Sequence, residues 1–236
     1  MKVKSGYSFY GANIGIIVFD GIAPRIPGDA GNGKTFPFPV HYEIVKGCFK
    51  ELSENNAVVK ENLLNCVESF HRKGIRGVAG DCGLMGIYQQ EMAAKEGMVA
   101  ASSLCQIPFI WQLIGRTGKI GIITGHSDLL NSEILSENGC DDIPIVIQGM
   151  EKEMHFRHIV IEGNLDLDPG KMEEDTIHAV SCLLEGYKDI KAIVLECSNL
   201  ASYSHSISQT FNLPVFDIVS AIYFMEYGLN PPVYDL

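Results

Sequence analysis

The chain has 236 residues and a formal net charge of −11, with 46% hydrophobic and 20% charged residues. That length and composition suit one large globular domain or two smaller ones, and the acidic balance argues against nucleic acid or an anionic membrane surface as a partner. The longest apolar runs are strand-length, well short of the roughly 20 residues of a spanning helix, so no membrane partner is expected.

The N-terminal "MKVKSGYSFYGAN" lacks a continuous apolar run, so a signal peptide is not expected. The seven cysteines, at 48, 66, 82, 105, 140, 182 and 197, are irregularly spaced and form no CxxC. They read as reduced thiols of a cytoplasmic protein, neither a disulfide framework nor a zinc site.

In chain order, the first strand is "IGIIVF" at 14–19. "HYEIVKGCFKEL" at 41–52 carries apolar residues at 44, 45, 48, 49 and 52 and reads as a helix. "ENLLNCVESFHRKG" at 61–74 is a second helix, with basic residues in its last turn and Gly74 just past its end. The strand "IRGVAG" (75–80) follows, then "KIGIIT" (119–124). "SDLLNSEILSENG" (127–139) reads as a helix opened by a Ser or Asp cap and closed at Gly139. The strand "IPIVIQ" (143–148), a helix at 172–187 with acids in its first turn, and the strands "KAIVLE" (191–196) and "PVF" (214–216) complete the chain. The strands do not alternate in polarity, as in parallel sheets covered on both faces. The class is therefore α/β.

The chain repeats itself. Ile-Gly-Ile-Ile opens both the strand at 14 and the strand at 120, and each half later reaches a strand end of the form Asp/Glu-Cys-Gly/Ser. Two similar α/β lobes are expected, residues 1–115 plus 214–236 carrying Cys82 and residues 116–213 carrying Cys197, with a ligand cleft between them.

Cys82 and Cys197 fall at the carboxyl ends of parallel strands, where open α/β sheets place their sites. Gly83-Leu84 after one and Ser198-Asn199 after the other let the chain turn, and the backbone N–H groups there can hold a carboxylate. The same amides favour thiolate, so a lowered thiol pKa is expected. Two facing thiols suit the removal of a proton from a carbon next to a carboxylate on one face and its return from the other, without a cofactor. Free cysteines are more often small core residues. Cys48, Cys66 and Cys182, on or beside helical stripes, are read that way, while Cys105 and Cys140 show no special context.

These stretches resemble the aspartate/glutamate racemase superfamily, which includes amino-acid and hydantoin racemases, maleate isomerases and arylmalonate decarboxylases. The matching features are "IGIIVFD", "GDCG", "LECSNL", "SSLCQIPFI" before "GKIGIITG", and "LPVFDI". The resemblance covers nearly the whole chain. It implies two flavodoxin-like lobes and catalysis by Cys82 and Cys197 with no cofactor and no metal, on a small carboxylate. The leading expectation is a racemase or epimerase of an amino acid or related acid. The alternatives are a maleate-type cis–trans isomerase, a decarboxylase, or a binding protein for small acids without turnover. A homodimer is left open. Amino-acid racemases of the family often show Cys-Asn-Thr and Cys-Thr-His at the two sites, where this chain has Cys82-Gly83-Leu84 and Cys197-Ser198-Asn199.

The resemblance also implies substrate contacts from Asp20, at the end of the first strand, and from the turn Thr124-Gly125-His126. Ser127 beside them reads equally as a helix cap. Arg25, in "APRIPGD", can clamp a carboxylate through both arms of its guanidinium. Asp81 and Glu196 precede the cysteines, so strand alternation points them to the opposite face, away from the site. "HFRH" (155–158) lacks a third metal-ligand signal, "NLDLDPGK" (164–171) reads as a solvated loop, and "GNGK" (31–34) lacks phosphate-loop spacing.

Overall fold

A computed structural model describes residues 6–47, 49–54, 56–95 and 97–234. The strands are β1 (Ile14–Phe19), β2 (Val40–Val45), β3 (Gly77–Gly80), β4 (Met98–Ala100), β5 (Lys119–Thr124), β6 (Ile145–Gly149), β7 (Ile190–Leu195) and β8 (Val215–Phe216). They form two parallel sheets, ordered β2-β1-β3-β4 and β6-β5-β7-β8. The two orders are the same. The Ile-Gly-Ile-Ile strands β1 and β5 hold corresponding inner positions, and β3 and β7, which lead to the two cysteines, sit beside them.

The helices are α1 (Phe49–Ser53), α2 (Ala57–Arg72), α3 (Gln89–Ala93), α4 (Ile107–Leu113), α5 (Ser132–Glu137), α6 (Met154–Phe156), α7 (Pro169–Gly186), α8 (Ser204–Phe211) and α9 (Ile218–Leu229). In α2 the Asn56 side chain accepts from the N–H groups of Val58 and Val59, and the helix ends at Lys73 before Gly74, whose φ of 83° few other residues adopt. The buried stripe of α2 is Val59, Leu63, Cys66, Val67 and Phe70. Phe70 lies so close over β1 that a Cβ on Gly15 would stand 2.6 Å from its ring. That contact explains the glycine in the first strand. α7 and α8 cover one face of the second sheet, burying Met172, Ala179, Val180, Leu183 and Ile207 against Ile123, Ile193 and Leu195.

Four readings of the sequence change. The segment 41–52 is not a helix: Val40–Val45 pairs with β1 over six residues. Its apolar stripe straddled the end of an edge strand and the short α1. Glu43 on that strand accepts hydrogen bonds from Ser69 and Cys66 of α2 and pairs with Lys73. The cap of the helix after β5 is Asn131, whose side chain accepts from the Ile134 N–H, while Ser127 opens a separate 3-10 turn. Cys66 is buried as expected, but Cys182 is exposed, because it lies off the buried face of α7. Cys48 lies outside the described residues.

The fourth concerns the return of the chain to the first lobe. Val215 and Phe216 pair with β7 in the second sheet, and the crossing follows at Asp217. α9 then buries Ile218, Ala221, Ile222 and Met225 against Ile14, Ile16, Ala79 and Ala100 of the first sheet. In the other direction, α4 follows β4 and buries Ile107 and Ile110 in the cluster that holds Ile120, Ile122, Ala192 and Val194 of the second sheet. The lobes thus exchange helices, and Ser103, between β4 and α4, donates to the Leu195 carbonyl at the end of β7, 2.8 Å away.

Asp217 anchors the crossing. Its carboxylate accepts from the Ser220 N–H and the Ser204 hydroxyl, the Ser220 hydroxyl accepts from the Asp217 N–H, and Gln106 donates to its carbonyl at 2.8 Å. Asp217→Ala should lower stability by about 1–2 kcal/mol, the range of a lost helix cap. Urea denaturation checks this, and an unchanged midpoint would show that the capping box does not hold α9.

Candidate active site

Both cysteines stand where their strands stop. β3 ends at Gly80 and Cys82 opens a 3-10 turn over Gly83–Tyr88; β7 ends at Leu195 and Cys197 opens one over Ser198–Tyr203. The two turns face a single cavity of about 330 Å³. It is lined by Asp20, Arg25, Cys82, Gly83, Leu84, Thr124, Gly125, His126, Cys197, Ser198 and Asn199, so the structure brings every residue expected at the site to one place. Phe19, Phe49 and Phe156 add aromatic walls. Asp20 sits at the exposed rim, its N–H bonded to the Val45 carbonyl at 3.0 Å. Thr124 is buried, and the Nδ1 of His126 is buried without a hydrogen-bond partner. Ser127 turns away and bonds to Glu151, 2.9 Å from hydroxyl to carboxylate.

Asp81 and Glu196 also line the cavity, each only 4% exposed, which corrects the expectation that they face away. Alternation fails because the strands end one residue earlier. The Asp81 N–H still bonds to the Ile17 carbonyl and the Glu196 N–H to the Ile123 carbonyl, at 3.0 and 2.8 Å, so the two acids hold equivalent places in the two lobes. Their partners differ. Asp81 pairs with Arg25. Glu196 accepts from the Thr124 hydroxyl at 2.8 Å and from the backbone N–H of Gly125.

Arg25 is not a free clamp. One terminal nitrogen is on Asp29 at 2.8 Å and the other on Asp81. Asp29, given no role from sequence, accepts from the Asn199 side chain at 3.2 Å, and the Cys197 thiol donates to the other end of that amide at 3.7 Å. The Ser198 hydroxyl donates to the Asp81 carbonyl. A run of polar contacts therefore joins the Cys197 turn to the Cys82 turn through Asn199, Asp29, Arg25 and Asp81. Gly83 is explained by contact as well: a Cβ there would lie 2.2 Å from a carboxylate oxygen of Glu196 and 2.3 Å from its carbonyl oxygen. The carboxyl of the second lobe occupies the space that a side chain after Cys82 would need.

The expected lowering of the thiol pKa values does not occur. Burial pushes the Cys82 thiol well above its ordinary value; the charges of Glu196 and Asp81 push the same way, and the N–H of Leu84 opposes them. Burial and Glu196 likewise raise Cys197, against the N–H of Asn199 and the charge of Arg25. The 3-10 turns bring too little positive potential to outweigh desolvation beside carboxyl groups. Burial also raises Glu196, and raises Asp81 to about 6 in spite of Arg25.

Elsewhere, His155 accepts from the Asp168 N–H and His158 contacts Asp166, while Asp168 caps α7. Among the described residues, no group of three His, Cys, Asp or Glu side chains could hold a metal ion, and no helix is long and apolar enough to cross a membrane.

No protein-family model matches the chain. It is 27% identical over 236 residues to a dimethylsulfoniopropionate lyase of Durusdinium sp. clade D, covering 95% of this chain and 78% of that one. It is 29% identical over 226 residues to dimethylsulfoniopropionate lyase 3 of Emiliania huxleyi, covering 88% of this chain but only 57% of that protein. Among solved structures, allantoin racemase from Klebsiella pneumoniae superposes with a TM-score of 0.63 at 16% identity, over 92% of this chain and 87% of that one. Unliganded arylmalonate decarboxylase gives 0.62 at 13% identity, over 94% of both chains. Glutamate racemase from Francisella tularensis gives 0.52 at 13% identity, over 93% and 81%. The two parallel sheets of like order, the cavity between them and these superpositions together show that the chain has the two-lobed α/β fold seen in these racemase and decarboxylase structures.

Proposed function

We propose that the chain is a cofactor-independent lyase that removes a proton from the carbon next to a carboxylate and expels dimethyl sulfide from dimethylsulfoniopropionate or a close analogue. The observation that carries this reading is the meeting of Cys82, Cys197 and the Glu196 carboxyl at one aromatic-walled cavity. The names of the sequence relatives support the leaving group.

Cys197 is the better base of the two: each thiolate is opposed by burial and two carboxyl groups and favoured by one backbone N–H, but only that of Cys197 also has the charge of Arg25 in its favour. The thiolate takes the proton next to the carboxylate. The carbon–hydrogen pair becomes the new double bond and the carbon–sulfur pair leaves on sulfur. Acrylate and neutral dimethyl sulfide result, and the thiol returns its proton to water. A zwitterionic substrate suits thiols raised by burial and acids: its fixed positive charge brings their pKa values down, whereas a dianion would push them further up. The aromatic rings stabilise an onium group that has no N–H to donate.

The placement of two cysteines at equivalent strand ends favours a second reading, a racemase or epimerase. Its first half-reaction is the same, and the other thiol then returns a proton to the opposite face.

Product analysis separates the two. Incubation with dimethylsulfoniopropionate should release dimethyl sulfide and acrylate in equal amounts, read by gas chromatography and proton NMR. Deuterium entry beside the carboxylate of a chiral acid with loss of optical rotation, and no sulfide, would replace the lyase with the racemase. Thiol ionisation gives an independent check. At neutral pH iodoacetamide should label exposed Cys182 well before Cys82 and Cys197, whose labelling should accelerate as pH rises above about 9. Faster labelling of either cavity thiol at neutral pH would show a thiolate already present in the empty cavity and remove the need for a cationic substrate.

A further inference from the structure

We infer that Glu196 is the counter-ion for the positively charged group of a zwitterionic substrate. This rests on the cationic substrate of the lyase reading and adds the residue that selects it.

Three features of the site converge. Glu196 lines the cavity and is 4% exposed, yet among the described residues it lacks the cation that its counterpart in the other lobe possesses: Asp81 pairs with Arg25, while Glu196 has the Thr124 hydroxyl and one backbone N–H. A buried carboxylate without a cation is costly, so in the empty cavity this group favours its neutral form. An onium group entering the cavity supplies the missing charge. Second, the place of the carboxyl is built for. Residue 83 has no side chain, and the Glu196 carboxyl reaches into that space against the Cys82 turn, while its own backbone leads directly into Cys197. It therefore stands between the two thiol-bearing turns, beside the carbon chain of any acid held there. Third, Phe19, Phe49 and Phe156 share the same cavity, and aromatic faces together with one carboxylate are the usual means of holding a cation that cannot donate hydrogen bonds.

The Thr124 hydroxyl fixes the carboxyl in place. Its bond to one Glu196 oxygen and the Gly125 N–H orient the group without neutralising it, which leaves charge for a ligand to meet. Specificity follows: an isosteric acid with a branched hydrocarbon tail has the same shape but leaves Glu196 either buried as an unpaired charge or protonated.

Binding, not turnover, tests this. Isothermal titration compares 3-(trimethylammonio)propionate with 4,4-dimethylpentanoate, its isostere with an uncharged tail, on the wild-type chain, Glu196→Gln and Glu196→Asp. The wild type should prefer the onium acid by about tenfold or more, the order of one partly desolvated ion pair. Glu196→Gln should lose that preference while keeping its affinity for the isostere, which also shows that its cavity remains folded. Glu196→Asp, which keeps the charge on a shorter arm, should retain part of the preference. An equal preference in wild type and Glu196→Gln, or none in the wild type, would overturn the assignment. Selective binding of the onium acid without release of dimethyl sulfide would leave Glu196 its role and remove the lyase.

Discussion

A single guanidinium shared by two buried carboxylates holds the site together. Arg25 bonds Asp29 and Asp81, and each acid belongs to a different half of the cavity: Asp81 leads into Cys82, and Asp29 grips Asn199 two residues after Cys197. Burial works against the Arg25 charge, yet Asp81 and Asp29 together raise its pKa. Apolar packing alone would only require the two lobes to be in contact. The polar run fixes how the thiol-bearing turns face one another, because each bond in it is directional. Loss of Arg25 would leave two acids buried without a cation, which costs far more than the loss of an exposed ion pair.

The same cluster makes the site electrically lopsided. The lobes repeat each other in strand order, in Ile-Gly-Ile-Ile and in acid-cysteine turns, but Arg25 neutralises only one of the two acids. Repetition gives two thiols, and the Arg25 charge gives them different surroundings. A symmetric pair would suit a reaction run equally well from either face. An unequal pair, with only one of the two carboxyls paired to Arg25, suits a directional reaction on a substrate that carries its own positive charge.

Much of this was legible in the sequence, for identifiable reasons. β1, β3, β5 and β7 are largely buried on both faces and read as mostly apolar runs, and the cysteine turns follow β3 and β7 directly. β2 was not legible, because an edge strand is only half-buried and its apolar residues ran on into α1 with helical spacing. Asp81 and Glu196 were assigned to the wrong side because alternation holds only while the strand lasts, and both strands end one residue before the acid. Asp29 was missed because the partner that ties it to the site, Asn199, lies 170 residues away, while its near partners Arg25 and the Gly31 N–H read as those of an ordinary turn. The glycine at 83, a departure from the pattern of amino-acid racemases, acquires its reason only when Glu196 of the other lobe is placed beside it.

The proposed mechanism turns on a proton taken from the carbon next to the carboxylate, and an isotope effect reads that step directly. Dimethyl sulfide release is measured for dimethylsulfoniopropionate with hydrogen or deuterium at that carbon, using the wild-type chain and Cys197→Ser. If Cys197 is the base, deuterium slows the wild type and Cys197→Ser falls by about 10²–10⁴-fold, the span expected for loss of a positioned base. Release from Cys197→Ser at the wild-type rate would contradict the assignment and place the proton transfer on another group.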